Sequence, residues 1–387
     1  MRSSICTVLI LAVVLACSGT NQSEPVVRIS SLDYSLDTVQ IDAGDEILFV
    51  SRRLNQSDLS LDRQFLYNFN RQEHAFEKID LDRLQLVRKF PFEKEGPNGT
   101  GSYFHSFFLL QNDRLMLGSA KKWSIFELNG RKIKEITFQE VPFAAVEMEE
   151  SDNFFVKLAI NEGHYLGLLR NYHEKSTDLL RVDLNAGRAS RVAMPQFDRM
   201  KDFEFEFSDG KTYMYYAPEL YLRFEGGKFL LGNDIQNDLA IYVPGIDSLR
   251  IIRYESELTA NRKAAVPGTT TFDSQEAFFE TYIQFREDIG FSVPVWDAQN
   301  EVYYRFSYKG IFERTPTEGH EWPQVTAAEV FLTVFDENLE LLAESRIPDL
   351  TQPPEKHFVK DGKVWMFVNL RDEMGFARLS VDLEGLK

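Results

Sequence analysis

Cysteine is nearly missing from this chain. Its 387 residues hold two, Cys6 and Cys17, both close to the N-terminus. From Ser18 onward there is no thiol, which excludes disulfide staples, zinc–thiolate sites and a cysteine nucleophile from the folded part. Stability there must come from a hydrophobic core, and the length is ample for one. Basic residues are also short, with 43 Lys and Arg against 60 Asp and Glu and a formal charge of −17. Such a chain repels phosphate backbones, and no basic stripe interrupts the acid excess, so nucleic acid is excluded as a partner. Low-complexity segments are absent. Disorder is therefore not expected beyond a short N-terminal tether.

Long apolar runs are lacking too. The one that stands out, Ile5 to Ala16, has about 12 residues where a transmembrane helix needs roughly 20. It follows Arg2 and ends at a small residue before Cys17, the layout of a secretory leader. Val14-Leu15-Ala16-Cys17 resembles the lipobox of bacterial lipoproteins, with valine where leucine is more usual. The resemblance implies cleavage before Cys17 and a diacylglycerol on its sulfur. Two or more acyl chains would hold the protein firmly on a membrane. The expected organisation is a signal peptide over 1–16, a lipidated tether over 17–25 and a single domain over 26–387. The expected location is the cell envelope, anchored in the outer membrane. Because Glu24 is the tether's one acid, the periplasmic and surface faces both stay open.

What the chain has in abundance is aromatics, 32 Phe and 15 Tyr, residues that favour strands. Short β-branched or aromatic runs closed by Gly, Asn or Asp recur along its length. Five segments share a strand–turn–strand form, with second strands starting near Leu86, Lys132, Ser190, Leu249 and Glu340. Their spacings of roughly 46, 58, 59 and 91 residues suit propeller blades with insertions. Hairpins such as FHSFFLLQNDRLMLGSA, LYLRFEGGKFLLGN and KHFVKDGKVWMFVNL supply the other half of each unit. The final unit stops one strand short, and VVRISSLDYSL near the N-terminus is a strand available to finish it. The expected fold is all-β: a six-bladed β-propeller closed by its N-terminal strand, which leaves no open edge. Seven blades or two packed β-sandwiches are the alternatives. The longest spacing holds SQEAFFETYIQFREDIG, where Ala277, Phe278, Tyr282 and Phe285 fall at helical spacing behind the cap candidate Ser274. One short helix is therefore expected between blades four and five, at the rim or over the channel mouth.

FEKEGPNGTGSYFHSFFLL, Phe92 to Leu110, places a glycine-rich loop where one blade hands over to the next. With the lipobox, the length and the blade pattern, it resembles a Bacteroidota lipoprotein family known as domain of unknown function 4221. The likeness covers essentially the whole chain after the leader. It implies a six-bladed propeller in the envelope and carries no established activity.

Propellers bind ligands in the funnel where loops lead into the innermost strands. Candidates at such places are Tyr103 and His105 after the glycine-rich loop, Tyr216 and Glu219 in YMYYAPELYL, and His357 in PPEKHFVK. Together they would offer aromatic faces and hydrogen-bonding tips to a sugar or peptide. His105 and His357 lack a third ligand in the sequence pattern, so no metal is expected, and no cofactor motif is present. In KDFEFEFSDGKTYMYY the acids Asp202, Glu204 and Glu206 alternate with Phe203, Phe205 and Phe207, as a half-buried strand with a solvated acidic face would. No nucleophile elbow, zinc-type spacing or phosphate loop is found. The expected role is a membrane-anchored module that binds an envelope protein or glycan. A polysaccharide hydrolase or lyase using paired carboxylates is the alternative.

Overall fold

The computed structural model describes residues 31–50, 54–119, 121–141, 146, 149–161, 163–264, 268–314 and 322–386. The leader, Cys17 and the tether lie outside the described residues. Six antiparallel sheets follow one another along the chain. Blade 1 comprises Ser57–Leu59, Phe65–Asn70, Ala75–Asp80 and Gln85–Pro91, innermost strand first. Blade 2 comprises Ser106–Leu110, Arg114–Gly118, Lys122–Glu127 and Lys132–Thr137. Blade 3 is Asp152–Asn161, His164–Asn171, Ser176–Asp183 and Arg188–Val192. Blade 4 is Leu220–Glu225, Lys228–Asn233, Leu239–Val243 and Ser248–Ile252. In blade 5 the innermost strand is split into Gly290–Phe291 and Val295–Asp297, which both pair with Val302–Phe312, and Val325–Phe335 and Leu341–Arg346 follow. Blade 6 is His357–Lys360, Lys363–Leu370 and Glu373–Val381, and its outermost strand is Tyr34–Gln40. The protein is a six-bladed β-propeller closed by its N-terminal strand. That strand begins later than VVRISSLDYSL suggested, because Ser31–Asp33 is irregular and Val26–Ser30 lies outside the described residues.

Burial explains why the inner strands lack clean alternation. Leu66 through Asn70 are all buried, since the middle strands of a blade are covered on both faces by neighbouring blades. In the outer strand Gln85–Pro91 no residue is fully buried, and Val87, Arg88 and Pro91 are exposed. Each pair of adjacent blades shares one apolar core. Phe69 and Phe76 meet Phe107 and Phe126, Trp123 meets Phe154 and Tyr165, and Leu179 meets Leu222 and Leu231. Leu230 and Leu239 meet Tyr303 and Phe335, Phe306 and Leu332 meet Val364 and Met366, and Trp365 and Phe376 return to Leu66 and Ile79. Six blades and six shared cores close a ring.

Turns repeat more faithfully than strands. Asn70, Asn171 and Asn233 each end the second strand of a blade, and each Oδ1 accepts two backbone N–H groups of the following turn. This side-chain mimicry of a backbone turn is what short Asn and Asp residues do well.

Between blades 3 and 4 the chain detours. A 3-10 helix over Pro195–Phe203 leads into the strand Phe205–Ser208, which pairs with Tyr213–Tyr216 and with Thr271–Phe272. This corrects the expectation for KDFEFEFSDGK. Asp202 and Phe203 are in the 3-10 helix, and Glu204 is 2% exposed, not solvated. Glu204 is drawn inside by Arg170 at 2.6 Å and the Tyr215 hydroxyl at 2.6 Å. The helix α1, Gln275–Glu287, stands between blades 4 and 5 as expected, with Ser274 Oγ accepting from the Ala277 N–H at 3.2 Å. Phe278, Phe279 and Phe285 pack it onto the detour sheet and Trp322.

All innermost strands start on one face of the ring, here the upper face. On the lower face Arg63, in the first turn of blade 1, spans the channel. Its guanidinium donates to Glu225 of blade 4 at 3.0 Å, to the Trp296 carbonyl of blade 5 at 3.3 Å and to the Val359 carbonyl of blade 6. A second buried guanidinium, Arg305, joins blades 4 and 5 through the Asn237 and Ser292 carbonyls and the Tyr221 and Tyr254 hydroxyls.

The closing strand generates a test. A chain beginning at Ile41 leaves the Glu373–Val381 edge unpaired, and such an edge templates aggregation. Size-exclusion chromatography should show oligomers and the melting transition should fall. A monomer melting like the parent would refute the closure. Phe376→Ala, in the core between blades 6 and 1, should cost about 3–5 kcal/mol in a denaturation experiment.

Candidate functional site

Charged side chains sit where a propeller core would otherwise be apolar. Asp58 lies on the innermost strand of blade 1, Lys157 on that of blade 3 and Arg223 on that of blade 4, and Lys356 precedes that of blade 6. Lys157 is the extra residue of a β-bulge, since Val156 pairs with Gly167 and Leu158 with Leu166. A bulge re-aims a side chain without breaking the sheet. Asp58 is fastened by the N–H of Leu109 at 2.9 Å and that of Leu59 at 2.9 Å, and the Lys356 amine donates to the Ser57 carbonyl at 2.8 Å.

These groups form one electrostatic unit around Arg223. Burial raises the Asp58 carboxyl above its ordinary range, with Lys356 and Arg223 pulling the other way. Burial, then Arg223, pushes the Lys356 amine down to about 8, opposed by Asp58. Lys157 is also lowered, by burial first, with Glu219 opposing. Lys157 and Arg223 make no hydrogen bond or ion pair among the described residues. Lys157, Arg223 and Lys356 thus meet the acids Asp58, Glu219 and Glu225 around the channel of a strongly acidic protein.

A second cluster adjoins this one on the upper face beneath α1. Tyr216, Asp234, Tyr282, Arg286 and Tyr308 act on one another there, and Glu219 and Lys263 border them. They come from four elements: the end of the detour hairpin, the turn after the second strand of blade 4, the helix, and the second strand of blade 5. Asp234 Oδ1 accepts the Glu219 N–H at 3.0 Å. The Tyr216 ring is 8% exposed, stacks on Phe205 at 5.0 Å and meets Tyr282 at 5.6 Å. Its buried hydroxyl has no hydrogen-bond partner among the described residues. The Lys263 amine, pushed down to about 8 by burial, donates to the Phe285 and Asp288 carbonyls at the end of α1.

The residues singled out from sequence stand at the starts of three alternate blades. At blade 2, Tyr103 and His105 meet edge-to-face at 4.8 Å, Arg71 lies 4.9 Å over the Tyr103 ring, and burial lowers the His105 pKa. At blade 4, Tyr216 is buried in the cluster under α1 and Glu219 is exposed beside Lys157. At blade 6, both ring nitrogens of His357 face backbone carbonyls, Glu355 at 2.6 Å and Val293 at 3.3 Å, and its ring edge meets Phe306. No hydrogen bond or ring contact joins one group to another among the described residues. Sequence reasoning missed Asp58, Lys157, Arg223, Lys356 and Arg286. The available signal was a lone charge within an apolar innermost strand, as in FFVKLAI and LYLRFE.

The Lys356 amine gives a titration test. In the unfolded chain it ionises near its ordinary 10.5, and in the folded chain near 8. Between those values the unfolded state holds the extra proton, so this group makes stability rise with pH; below about 8 its burial cost is fully present. Lys356→Met removes the effect. The melting temperature of the variant minus that of the parent should therefore fall as pH goes from 7 to 10. A constant difference would show an amine that titrates as if solvated.

Comparison with known proteins gives the same architecture. Among curated proteins none matches the chain. A DUF4221 family protein from Bacteroides vulgatus superposes with a TM-score of 0.65 at 13% identity, covering 91% of this chain and 99% of that one. A putative exported protein from Bacteroides fragilis has a TM-score of 0.43 at 9% identity, covering 92% and 99%. The β-propeller domain of Cps50 (Swd1) from Myceliophteria thermophila has a TM-score of 0.36 at 10% identity, covering 89% and 99%. The family model for a domain of unknown function, DUF4221, matches residues 29–346, and the chain belongs to that family.

Proposed function

We propose that this protein is a lipid-anchored binding module of the cell envelope, taking an anionic ligand at the upper mouth of its channel. The observation that carries the reading is the convergence of Lys157, Arg223 and Lys356 on one channel, two of them without a hydrogen-bonding partner among the described residues. Lys157 is part-buried and Arg223 exposed, with the carboxylates Glu219, Asp58 and Glu225 nearby but forming no ion pair with either among the described residues, so an anion from solution can reach both cations. Tyr103, His105, Glu219 and His357 would supply the aromatic and polar wall of that mouth, with Tyr216 buried beside it under α1. Binding is favoured over hydrolysis because the best-buried channel carboxylate, Asp58, already accepts two main-chain N–H groups. An acid or base held in that way is poorly placed to exchange protons with a substrate.

The fold sets the geometry of the anchor. In a four-stranded antiparallel blade the outermost strand runs opposite to the innermost, so Tyr34 lies on the lower face. Lipid on Cys17 would hold the lower face toward the bilayer and turn the binding mouth outward.

Two measurements test the two parts. Cys17→Ala should move the protein from the membrane pellet to the soluble fraction while its melting temperature stays unchanged. Retention of the variant on membranes would refute the anchor. Isothermal titration with a hyaluronan tetrasaccharide should give binding that weakens with salt, whereas maltotetraose should give none. Lys157→Ala with Arg223→Ala should reduce that affinity at least about tenfold, the scale of losing charge-assisted hydrogen bonds. Equal binding of the neutral and acidic glycans would sink the reading.

A further inference from the structure

The cluster under α1 has a feature that its structural role leaves unexplained. Arg286, in the last turn of the helix, is part-buried and makes no hydrogen bond or ion pair among the described residues. Asp234 acts on it electrostatically without forming an ion pair. Contrast Arg305, only 1% exposed, where every arm of the guanidinium meets a carbonyl or phenol; Arg286 is more open. Around Arg286 are the phenols Tyr216, Tyr282 and Tyr308, and the Tyr216 hydroxyl is likewise unsatisfied. Buried polar groups are normally satisfied. An unpaired five-donor fork that solvent can reach, beside one buried phenol hydroxyl without a partner among the described residues, describes a place open to a ligand.

We infer that Arg286 is the carboxylate-binding residue of a sugar-acid subsite roofed by α1. A guanidinium fork matches a carboxylate with two parallel hydrogen bonds. The part-buried phenols of Tyr282 and Tyr308 would take ring and hydroxyl oxygens first, and the Tyr216 hydroxyl, fully buried, would be reached only once a ligand displaces its cover. Asp234 and the exposed Glu219 accept from sugar hydroxyls, and tyrosine faces suit the flat side of a pyranose. The ligand class is a uronic acid, free or at the end of a short acidic glycan. Glu219, whose N–H donates to Asp234, directly precedes the innermost strand of blade 4 that carries Arg223, so the subsite borders the channel mouth. The inference rests on the mouth being a binding site and names the subsite and the ligand chemistry.

The test is isothermal titration with D-glucuronate, with glucose as the neutral control, on the parent and on three variants. Glucuronate should bind the parent and glucose should not. Arg286→Gln should weaken glucuronate at least tenfold, Arg286→Lys less, and Tyr216→Phe several-fold. Melting curves separate function from architecture. Because Arg286 has no hydrogen-bond partner to lose among the described residues and only offsets the charge of Asp234 at a distance, Arg286→Gln should melt close to the parent temperature. A marked fall would mark Arg286 as structural and overturn the assignment. Arg286→Lys, which keeps the charge, decides the question should the Gln variant fail to fold: unchanged glucuronate affinity would overturn the inference. Loss of binding in the Lys157→Ala, Arg223→Ala pair with full binding in Arg286→Gln would put the carboxylate in the channel, overturning this subsite while leaving the proposed function standing. Absence of glucuronate binding to the parent would overturn the ligand class.

Discussion

Every sheet has two edges, and an arc of sheets also has two ends. The pairing of Tyr34–Gln40 with Glu373–Val381 answers both at once. It supplies the outer strand that blade 6 lacks, and it ties the first strand of the chain to the last. Leu36 packs into the core between blades 5 and 6, and Val39 into the core between blades 6 and 1. Asp37 adds a bidentate pair with Arg378 at 2.6 and 2.9 Å. Being exposed, that pair contributes far less than the apolar contacts. Closure fixes the last of the six shared cores, and a ring of six cores fixes the diameter of the channel. The charged groups on the innermost strands can then face one another at set positions.

Burying charge on those strands works against folding unless each ion finds partners. The protein meets this requirement unevenly. Arg63 spans the lower face and satisfies its guanidinium on three other blades. Arg305 does the same between blades 4 and 5, and Glu77 accepts from Asn68, Asn70 and the Phe49 N–H. These charges act as ties. Lys157, Arg223 and Arg286 have no such set of partners; Arg286 lies at the end of α1, and Lys157 and Arg223 sit midway along innermost strands. That difference separates groups that hold the ring together from groups available to a ligand.

Much of the architecture was legible because turns and hairpins are local. FEGGKF and VKDGKV encode tight turns, and SQEAFFETYIQFRE carries its own cap and apolar stripe, so the hairpins and α1 fall where the sequence puts them. The incomplete last blade was legible as a missing strand. The acidic alternation at Asp202–Glu206 misled, because period-two patterning cannot reveal that Arg170, distant in sequence, draws Glu204 inside. The site was half legible for the same reason. Tyr103, His105, Tyr216, Glu219 and His357 were chosen by position, and they do stand just ahead of innermost strands or, for His357, at the start of one. What each then touches depends on neighbouring blades. His357 is pinned between two carbonyls, whereas Tyr216 joins a cluster that includes a helix residue some 70 positions away (roughly the spacing of one blade with its insertion). Lys157 was hidden further, since a bulge, invisible in composition, decides which way it points.

The direction of the closing strand would relate the two ends of the channel to the membrane. Tyr34–Gln40 must run opposite to the innermost strands to complete an antiparallel blade, so its start shares the lower face with Arg63. A membrane anchor preceding it would, on the proposed reading, attach on the side that Arg63 spans and away from the side where α1 and Arg286 lie. The strand that removes the exposed edge would in that case also orient the upper mouth toward solutes.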